Sequence, residues 1–278
     1  MSSNSNIIKR YPQATFWLLA WSTWFLGFYM STIYPSELWN LIIYTPFLVG
    51  IFVTAFADGR EGLKIFFSRI VRWRVGIQWY AAALLIPPVL YLVAAGLNLL
   101  SGATIATNIQ WPELTEFFFG ILIFSFLMVA LGEEPGFRGF ALPRLLTRHP
   151  AFAAGLILGV LHAIWHLPLF IGGGVVPIMS TVLIIISGAV INTWLFNHTN
   201  GSVLLAMLLH VSIDAVSGDV GLLKLLFSGA DAERQAIWLA VVYIGMVILL
   251  RFVTGRELGR KPEMHTRTVV TEPAVAAK

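Results

Sequence analysis

Eight long apolar runs follow one another along the chain, separated by shorter polar stretches. The hydrocarbon core of a bilayer is about 30 Å thick, so a helix needs roughly 20 apolar residues to cross it. The runs are close to this length, and the pattern predicts an all-α polytopic membrane protein, a bundle of about eight transmembrane helices. The predicted spans are 13–33, 37–57, 77–99, 116–134, 152–171, 177–197, 202–218 and 235–254.

The composition agrees with this prediction. Of the 278 residues, 58% are hydrophobic and only 12% are charged, whereas soluble domains average about 25% charged residues. The chain contains no cysteine, which excludes a disulfide framework and a cysteine nucleophile. We expect the lipid bilayer, and no nucleic acid, among its partners.

The basic residues predict how the chain is oriented. All Lys and Arg except Lys224 and Arg234 fall on one side of an eight-span arrangement. Because cytoplasmic loops carry the excess of Lys and Arg, both termini should face the cytoplasm of a bacterial or archaeal plasma membrane. The connection 58–76 is predicted to be a basic amphipathic helix at the membrane–water interface. We interpret 1–254 as one integral-membrane domain and 255–278 as a disordered cytoplasmic tail.

Two adjacent carboxylates end the fourth apolar run. A charged side chain in hydrocarbon costs roughly 2.5–3.5 kcal/mol on insertion scales, so an intramembrane acid points to function. Glu134 and Arg138 are four residues apart and share one face of a helix, with the acid in the favourable N-terminal position. Glu133 points about 100° away from them. One glutamate is therefore neutralised by a cation and the other needs a different partner.

Two further pairs of polar residues lie at i,i+4 spacing on other spans. His162 and His166 share a face of the fifth span, and His210 and Asp214 share a face of the seventh. Carboxylates and imidazoles are the groups used for general base catalysis near neutral pH and for binding zinc. Taken singly, each imidazole could instead bond a carbonyl of a neighbouring helix. Together they predict a polar, inward-facing cavity within the bundle.

At these residues the sequence resembles the CAAX protease and bacteriocin-processing family of intramembrane proteases, which includes the prenyl-protein endopeptidase of eukaryotes. The resemblance covers about 77–218, and the family's three motifs occur in order. The first motif, Glu-Glu-x-x-x-Arg, matches Glu133 to Arg138, and the second, aromatic-x-x-x-His, ends at His166. The third, His-x-x-x-Asn or Asp, matches His210 and Asp214.

The sequence departs from the family pattern at two positions. His162 stands where the second motif carries Phe or Trp, which adds an imidazole on the face of His166. Asp214 stands where Asn is common, which adds a carboxylate beside His210. Either departure would change the pKa values of the site or favour a metal.

The resemblance implies an eight-helix bundle with a conical cavity open to the cytoplasm, and it implies hydrolysis of a peptide bond near the membrane surface. Glu133 would act as the general base that activates water. His166 and His210 would hold the water or stabilise the oxyanion. The implied catalytic set is Glu133, Glu134, His166, His210 and Asp214, with Arg138 and His162 in support.

Several alternatives stay open at this point. Glu133, His166 and His210 form a His2Glu set suitable for zinc, but the same groups can activate water without a metal. The substrate is a membrane-associated protein or peptide, with or without a lipid. A non-catalytic bacteriocin-immunity or membrane scaffold protein would not need all three residues. A proton-coupled transporter is disfavoured because the sequence shows no internal repeat.

Overall fold

The computed structural model describes residues 7–217 and 221–260, and the regular elements within these residues are helical. A short helical turn, Ile7–Arg10, precedes eight longer helices. The fold therefore confirms the predicted all-α polytopic class and the count of about eight. In chain order the helices are α1 (Pro12–Ile33), α2 (Thr45–Ile70), α3 (Ile77–Leu100), α4 (Glu116–Leu146), α5 (Ala151–Trp165), α6 (Val175–His198), α7 (Val203–Ser217) and α8 (Gly229–Thr254).

Six helical stretches in the described part of the chain are long and apolar enough to cross a membrane. They contain α2, α3, α4, α6, α7 and α8. The remaining two predicted spans are also helical, but α5 has only 15 residues and measures about 22 Å at 1.5 Å per residue. It ends at Trp165 with His166 as its C-cap, and the 3-10 turn that follows, Leu167–Phe170, contains Pro168. Proline here ends the helix before the predicted limit of the span.

The fourth helix is longer than predicted, because Pro135 does not end it. The segment Pro135–Ala141 continues as a π-helical turn and leads into the α-helical turn Leu142–Leu146. Pro135 begins this segment, and its missing N–H removes one backbone hydrogen bond inside the continuous helix. The glutamate pair consequently lies well inside α4 rather than at its C-terminal end. π-helical turns are rare and occur frequently at functional sites.

The predicted interfacial helix at 58–76 is a continuation of α2. The chain bends at Gly59, whose φ of 65° lies in the left-handed region, and remains helical to Ile70. Arg69 lies buried here and donates a hydrogen bond of 2.9 Å to the carbonyl of Gly139 on α4. Part of the basic charge of this segment therefore holds two helices together.

Two glycines of α4 allow it to lie against the chain around the start of α2. A Cβ on Gly132 would lie 2.8 Å from the carbonyl oxygen of Ile43, and one on Gly136 would lie 2.5 Å from the carbonyl carbon of Pro46. Real side chains do not approach so closely. The glycines flanking the glutamate pair thus bring its backbone against a neighbouring helix.

The remaining helices close the bundle around α4. α5 packs against α6, α6 against α8, and α3 against both α7 and α8, while the N-terminal half of α4 contacts α7. Residues 255–260 form a turn that packs against the ends of other helices, and 261–278, most of the predicted disordered tail, lie outside the described residues.

Candidate active site

Glu133 is buried in α4, with 3% of its surface exposed, and contacts two side chains of α5. Nε2 of His162 lies 3.1 Å from Glu133 Oε2. The indole N–H of Trp165 donates to Glu133 Oε1 at 3.2 Å. His162 and Trp165 are three residues apart and thus lie on one helical face. Each carboxylate oxygen of Glu133 therefore has its own partner on α5.

His166 lies one turn beyond His162 on the same face. Its Nδ1 lies 3.1 Å from the backbone carbonyl oxygen of His162, and the two imidazole rings have centroids 4.8 Å apart. One ligand-type atom from each of Glu133, His162 and His166 lies within 4.8 Å of the other two. We call these three residues the Glu/His/His cluster.

Glu134 has different partners, although it is the next residue in the chain. Only 1% of its surface is exposed. Arg138 Nη1 donates to Glu134 Oε1 at 2.8 Å, as the i,i+4 spacing predicts. Nδ1 of His210 on α7 lies 2.7 Å from the same oxygen. The carboxylate of Glu134 thus bridges a guanidinium and an imidazole.

The polar contacts of Glu134 extend along α7. His210 Nε2 lies 3.7 Å from Asp214 Oδ2, and the hydroxyl of Ser125 on α4 donates to Asp214. The five residues form a continuous chain across α4 and α7. We call them the bridging network: Arg138, Glu134, His210, Asp214 and Ser125.

The structure brings the predicted site residues together in two groups rather than one. His162 and His166 join Glu133, while His210 and Asp214 join Glu134 and Arg138. The His2Glu set that the structure assembles contains His162 in place of the predicted His210. The reason is the direction of the adjacent glutamates, because successive residues of a helix point about 100° apart.

Aromatic rings surround the Glu/His/His cluster. The ring of Phe137 lies 4.5 Å from that of His162, and Trp165 stacks on Trp24 of α1 at 4.4 Å between centroids. Phe137 and Trp165 are fully buried. The cluster therefore lies in an apolar surrounding of low dielectric constant, which strengthens its electrostatic interactions.

A cavity of about 430 Å³ lies between α1 and the 3-10 turn that follows His166. Its walls are mainly apolar, so it differs from the polar, inward-facing cavity predicted from the sequence, which stays a prediction. The lining residues are Phe25, Phe28, Tyr29, Thr32, Leu167, Pro168 and Ile171.

Sequence reasoning did not identify Trp165 and Ser125 as part of the site. Trp165 follows His162 by three residues, so their shared helical face was a usable signal. Ser125 is the one hydroxyl residue in the apolar run 117–130, and a polar side chain there requires a partner. Its pairing with Asp214 depends on the contact of α4 with α7, which no spacing within one helix reveals.

The fold and these two groups define a polytopic membrane protein with buried carboxylates and imidazoles inside its helical bundle. Residues 115–216 match the family model described as type II CAAX prenyl endopeptidase, Rce1-like. The chain is also 25% identical over 226 residues to CAAX prenyl protease 2 of the archaeon Methanococcus maripaludis, an alignment that covers 74% of this chain and 82% of that one. These findings confirm the predicted family resemblance and support the assignment of the chain as a protease.

Proposed function

We propose that the chain is an intramembrane CAAX-type endopeptidase that hydrolyses a peptide bond of a membrane-associated protein or peptide. One observation carries the proposal: Glu133 is buried, and it forms hydrogen bonds with the uncharged indole of Trp165 and the imidazole of His162. Its neighbour Glu134 is paired with a guanidinium instead. Glu133 is therefore the carboxylate available to accept a proton from water.

In the proposed reaction, Glu133 accepts a proton from a water molecule. At the same time, the oxygen of this water attacks the carbonyl carbon of the scissile bond. The carbonyl oxygen becomes an oxyanion in the tetrahedral intermediate. His210, as an imidazolium between the carboxylates of Glu134 and Asp214, stabilises the oxyanion by donating a hydrogen bond. His166 directs its Nδ1–H to the carbonyl of His162, so its Nε2 accepts a hydrogen bond from the attacking water and holds it in place. The C–N bond then breaks, the proton passes from Glu133 to the leaving amine, and a carboxylic acid and an amine are released.

Glu134 and Arg138 have a supporting role in this mechanism. The guanidinium already neutralises Glu134, and the same carboxylate oxygen lies 2.7 Å from His210 Nδ1. A carboxylate that accepts from one imidazole nitrogen fixes the orientation of the ring and stabilises its positive charge. Glu134 therefore positions His210. Asp214 lies on the opposite side of the ring, with Oδ2 3.7 Å from Nε2, and adds a second negative charge beside it.

A metal is compatible with the same centre. The donor set of Glu133, His162 and His166 has the composition of a three-ligand catalytic zinc site, and a bound zinc ion would supply Lewis-acid polarisation of water or a carbonyl. The proton transfers above are assigned to the side chains alone.

Two observations support a lipidated substrate. The relative in Methanococcus maripaludis is named as a prenyl protease, and we extend substrate lipidation to this chain as part of the proposal. A lipid anchor would concentrate a peptide at the bilayer that surrounds this bundle. Comparing cleavage of one peptide sequence with and without a prenyl group tests this part separately.

The decisive experiment measures peptide-bond cleavage by purified protein in lipid nanodiscs. Glu133→Gln should reduce turnover by about 10³-fold, since positioned acid–base groups contribute roughly 10²- to 10⁴-fold. Glu116→Gln is the matched control, because Glu116 lies on the same helix with its side chain exposed. Wild-type turnover in Glu133→Gln, at wild-type thermal stability, would refute the assignment of Glu133 as the base.

A further inference from the structure

We infer that the Glu/His/His cluster is a binding site for one divalent transition-metal ion of the zinc type, and that His162 is an essential ligand. This inference goes beyond the proposed proteolysis, which requires no metal. It also differs from the set predicted from the sequence, because that set contained His210 and gave His162 only a supporting role.

The first argument is the identity and closeness of the donors. Two imidazoles and one carboxylate offer ligand atoms within 4.8 Å of one another, and Glu133 Oε2 and His162 Nε2 are already 3.1 Å apart. Zn–N and Zn–O bonds of about 2.0–2.2 Å in a tetrahedral site place neighbouring ligand atoms about 3.3–3.5 Å apart. An ion between these atoms requires ligand atoms that are now up to 4.8 Å apart to approach one another by up to about 1.5 Å.

The second argument is that two of the three ligands already have an outer partner that orients them. The Trp165 indole N–H holds Glu133 Oε1, which leaves Oε2 directed towards His162. His166 Nδ1 lies 3.1 Å from the carbonyl oxygen of His162. An Nδ1–H donated to this carbonyl leaves a lone pair on Nε2. Metal-bound histidines almost always have such a partner on their second nitrogen.

The third argument is the burial of the cluster. Glu133 and His162 are 3% and 7% exposed. Buried charges are normally paired or coordinate metals, and an imidazole in place of the family's aromatic residue introduces a polar group where none is needed for packing. His162 supplies the third ligand, and three protein ligands with an open fourth position are the usual number in catalytic zinc sites.

Binding would change the chemistry available to Glu133. A carboxylate whose lone pair is donated to a metal no longer accepts a proton from water as a free base. The metal-loaded and metal-free proteins are therefore two distinct states of the same centre.

The test titrates metal-stripped, full-length protein in detergent with Co²⁺ and follows the visible d–d absorption, which is strong when the ion is four-coordinate. Competition with Zn²⁺ then gives the zinc affinity. We expect one ion per chain in the wild-type protein. Glu133→Gln, His162→Phe, His162→Gln and His166→Gln should each weaken binding by on the order of 100-fold or more, because loss of an outer partner alone costs 10- to 100-fold.

Two histidine variants serve as matched controls. His198 makes the same contact as His166, with Nδ1 2.8 Å from the carbonyl four residues earlier, but it is not part of the cluster. His198→Gln and His210→Gln should both bind Co²⁺ as the wild type does. Thermal unfolding without metal shows whether each His162 variant folds. If one of His162→Phe and His162→Gln does not fold, the Co²⁺ affinity of the other is used.

Wild-type Co²⁺ affinity in folded His162→Phe and His162→Gln would overturn the inference. Loss of binding in His210→Gln with retention in the His162 variants would also overturn it, in favour of the set with His210. Neither result affects the proposed protease function, which is tested by turnover of Glu133→Gln without added metal.

Discussion

Arg138 Nη1 lies 2.8 Å from Glu134 Oε1, and both side chains are almost fully buried. Four residues separate them, so one helical turn contains the cation and the anion. The preceding residue, Glu133, faces α5 and its imidazole. Two adjacent glutamates therefore differ in their partners, and this difference separates a structural carboxylate from one available for chemistry.

Replacing Glu134 should affect stability more than chemistry. Glu134→Gln leaves Arg138 buried without its counter-charge, and breaking a buried pair from one side costs roughly 3–5 kcal/mol. Thermal unfolding in detergent measures this loss. The double variant Glu134→Gln/Arg138→Gln should recover much of the stability, because no uncompensated charge remains. If Glu134→Gln is fully stable but has lost turnover, Glu134 is the general base and Glu133 the structural carboxylate.

The indole of Trp165 should contribute to turnover through Glu133. Trp165→Phe removes the N–H donor at 3.2 Å and retains an aromatic ring. Hydrogen bonds to charged groups contribute roughly 1.5–3 kcal/mol, so turnover should fall about tenfold or more. Trp24→Phe is the control, since Trp24 stacks on Trp165 at 4.4 Å. Equal effects of the two variants on the rate of cleavage would show that only the ring packing matters.

Gly136 should not tolerate a side chain. The Cβ of Gly136→Ala would lie 2.5 Å from a backbone carbon of Pro46, and the helices must separate to accept it. Overpacking of this kind costs about 1–3 kcal/mol, which a lower unfolding temperature would report. Gly188 is also a buried helical glycine, but its Cβ would meet no atom within 4 Å. Gly188→Ala should therefore be neutral or stabilising, and an equal loss in both variants would contradict the close approach of α4 to Pro46.

The predicted orientation can be measured directly. Reporter fusions after Asn108 and after Lys278 should give opposite readings, the first outside and the second cytoplasmic, if both termini face the cytoplasm. The same reading at both positions would exclude the eight-span arrangement with both termini inside.

The sequence predicted the helices and the i,i+4 pairs well, because both depend on the regular geometry within one helix. Arg138 paired with Glu134 as expected, and His162 shared a face with His166. Pro135 misled the prediction of the end of α4, since a π-helical turn accommodates it. Local propensity did not reveal that accommodation.

Contacts between helices were the part that the sequence did not determine. The partner of Glu133 depends on how α4 is rotated towards α5, and the partner of Glu134 on how it faces α7. The close approach at Gly136 and Pro46 helps to fix that rotation. Spacing along one helix therefore indicated which residues matter, while packing decided which of them meet.

The turn at 255–260 has a consequence for how the protein assembles during synthesis. The backbone N–H of Phe152, in the first turn of α5, donates to the carbonyl of Arg256 at 2.9 Å, and Pro150 supplies no side-chain cap. Arg260 likewise donates to the carbonyl of Leu146 at the end of α4. A ribosome must translate more than 100 residues beyond Phe152 before these partners exist. The first turn of α5, the helix that contains His162, therefore gains this hydrogen bond only after α8 has been synthesised.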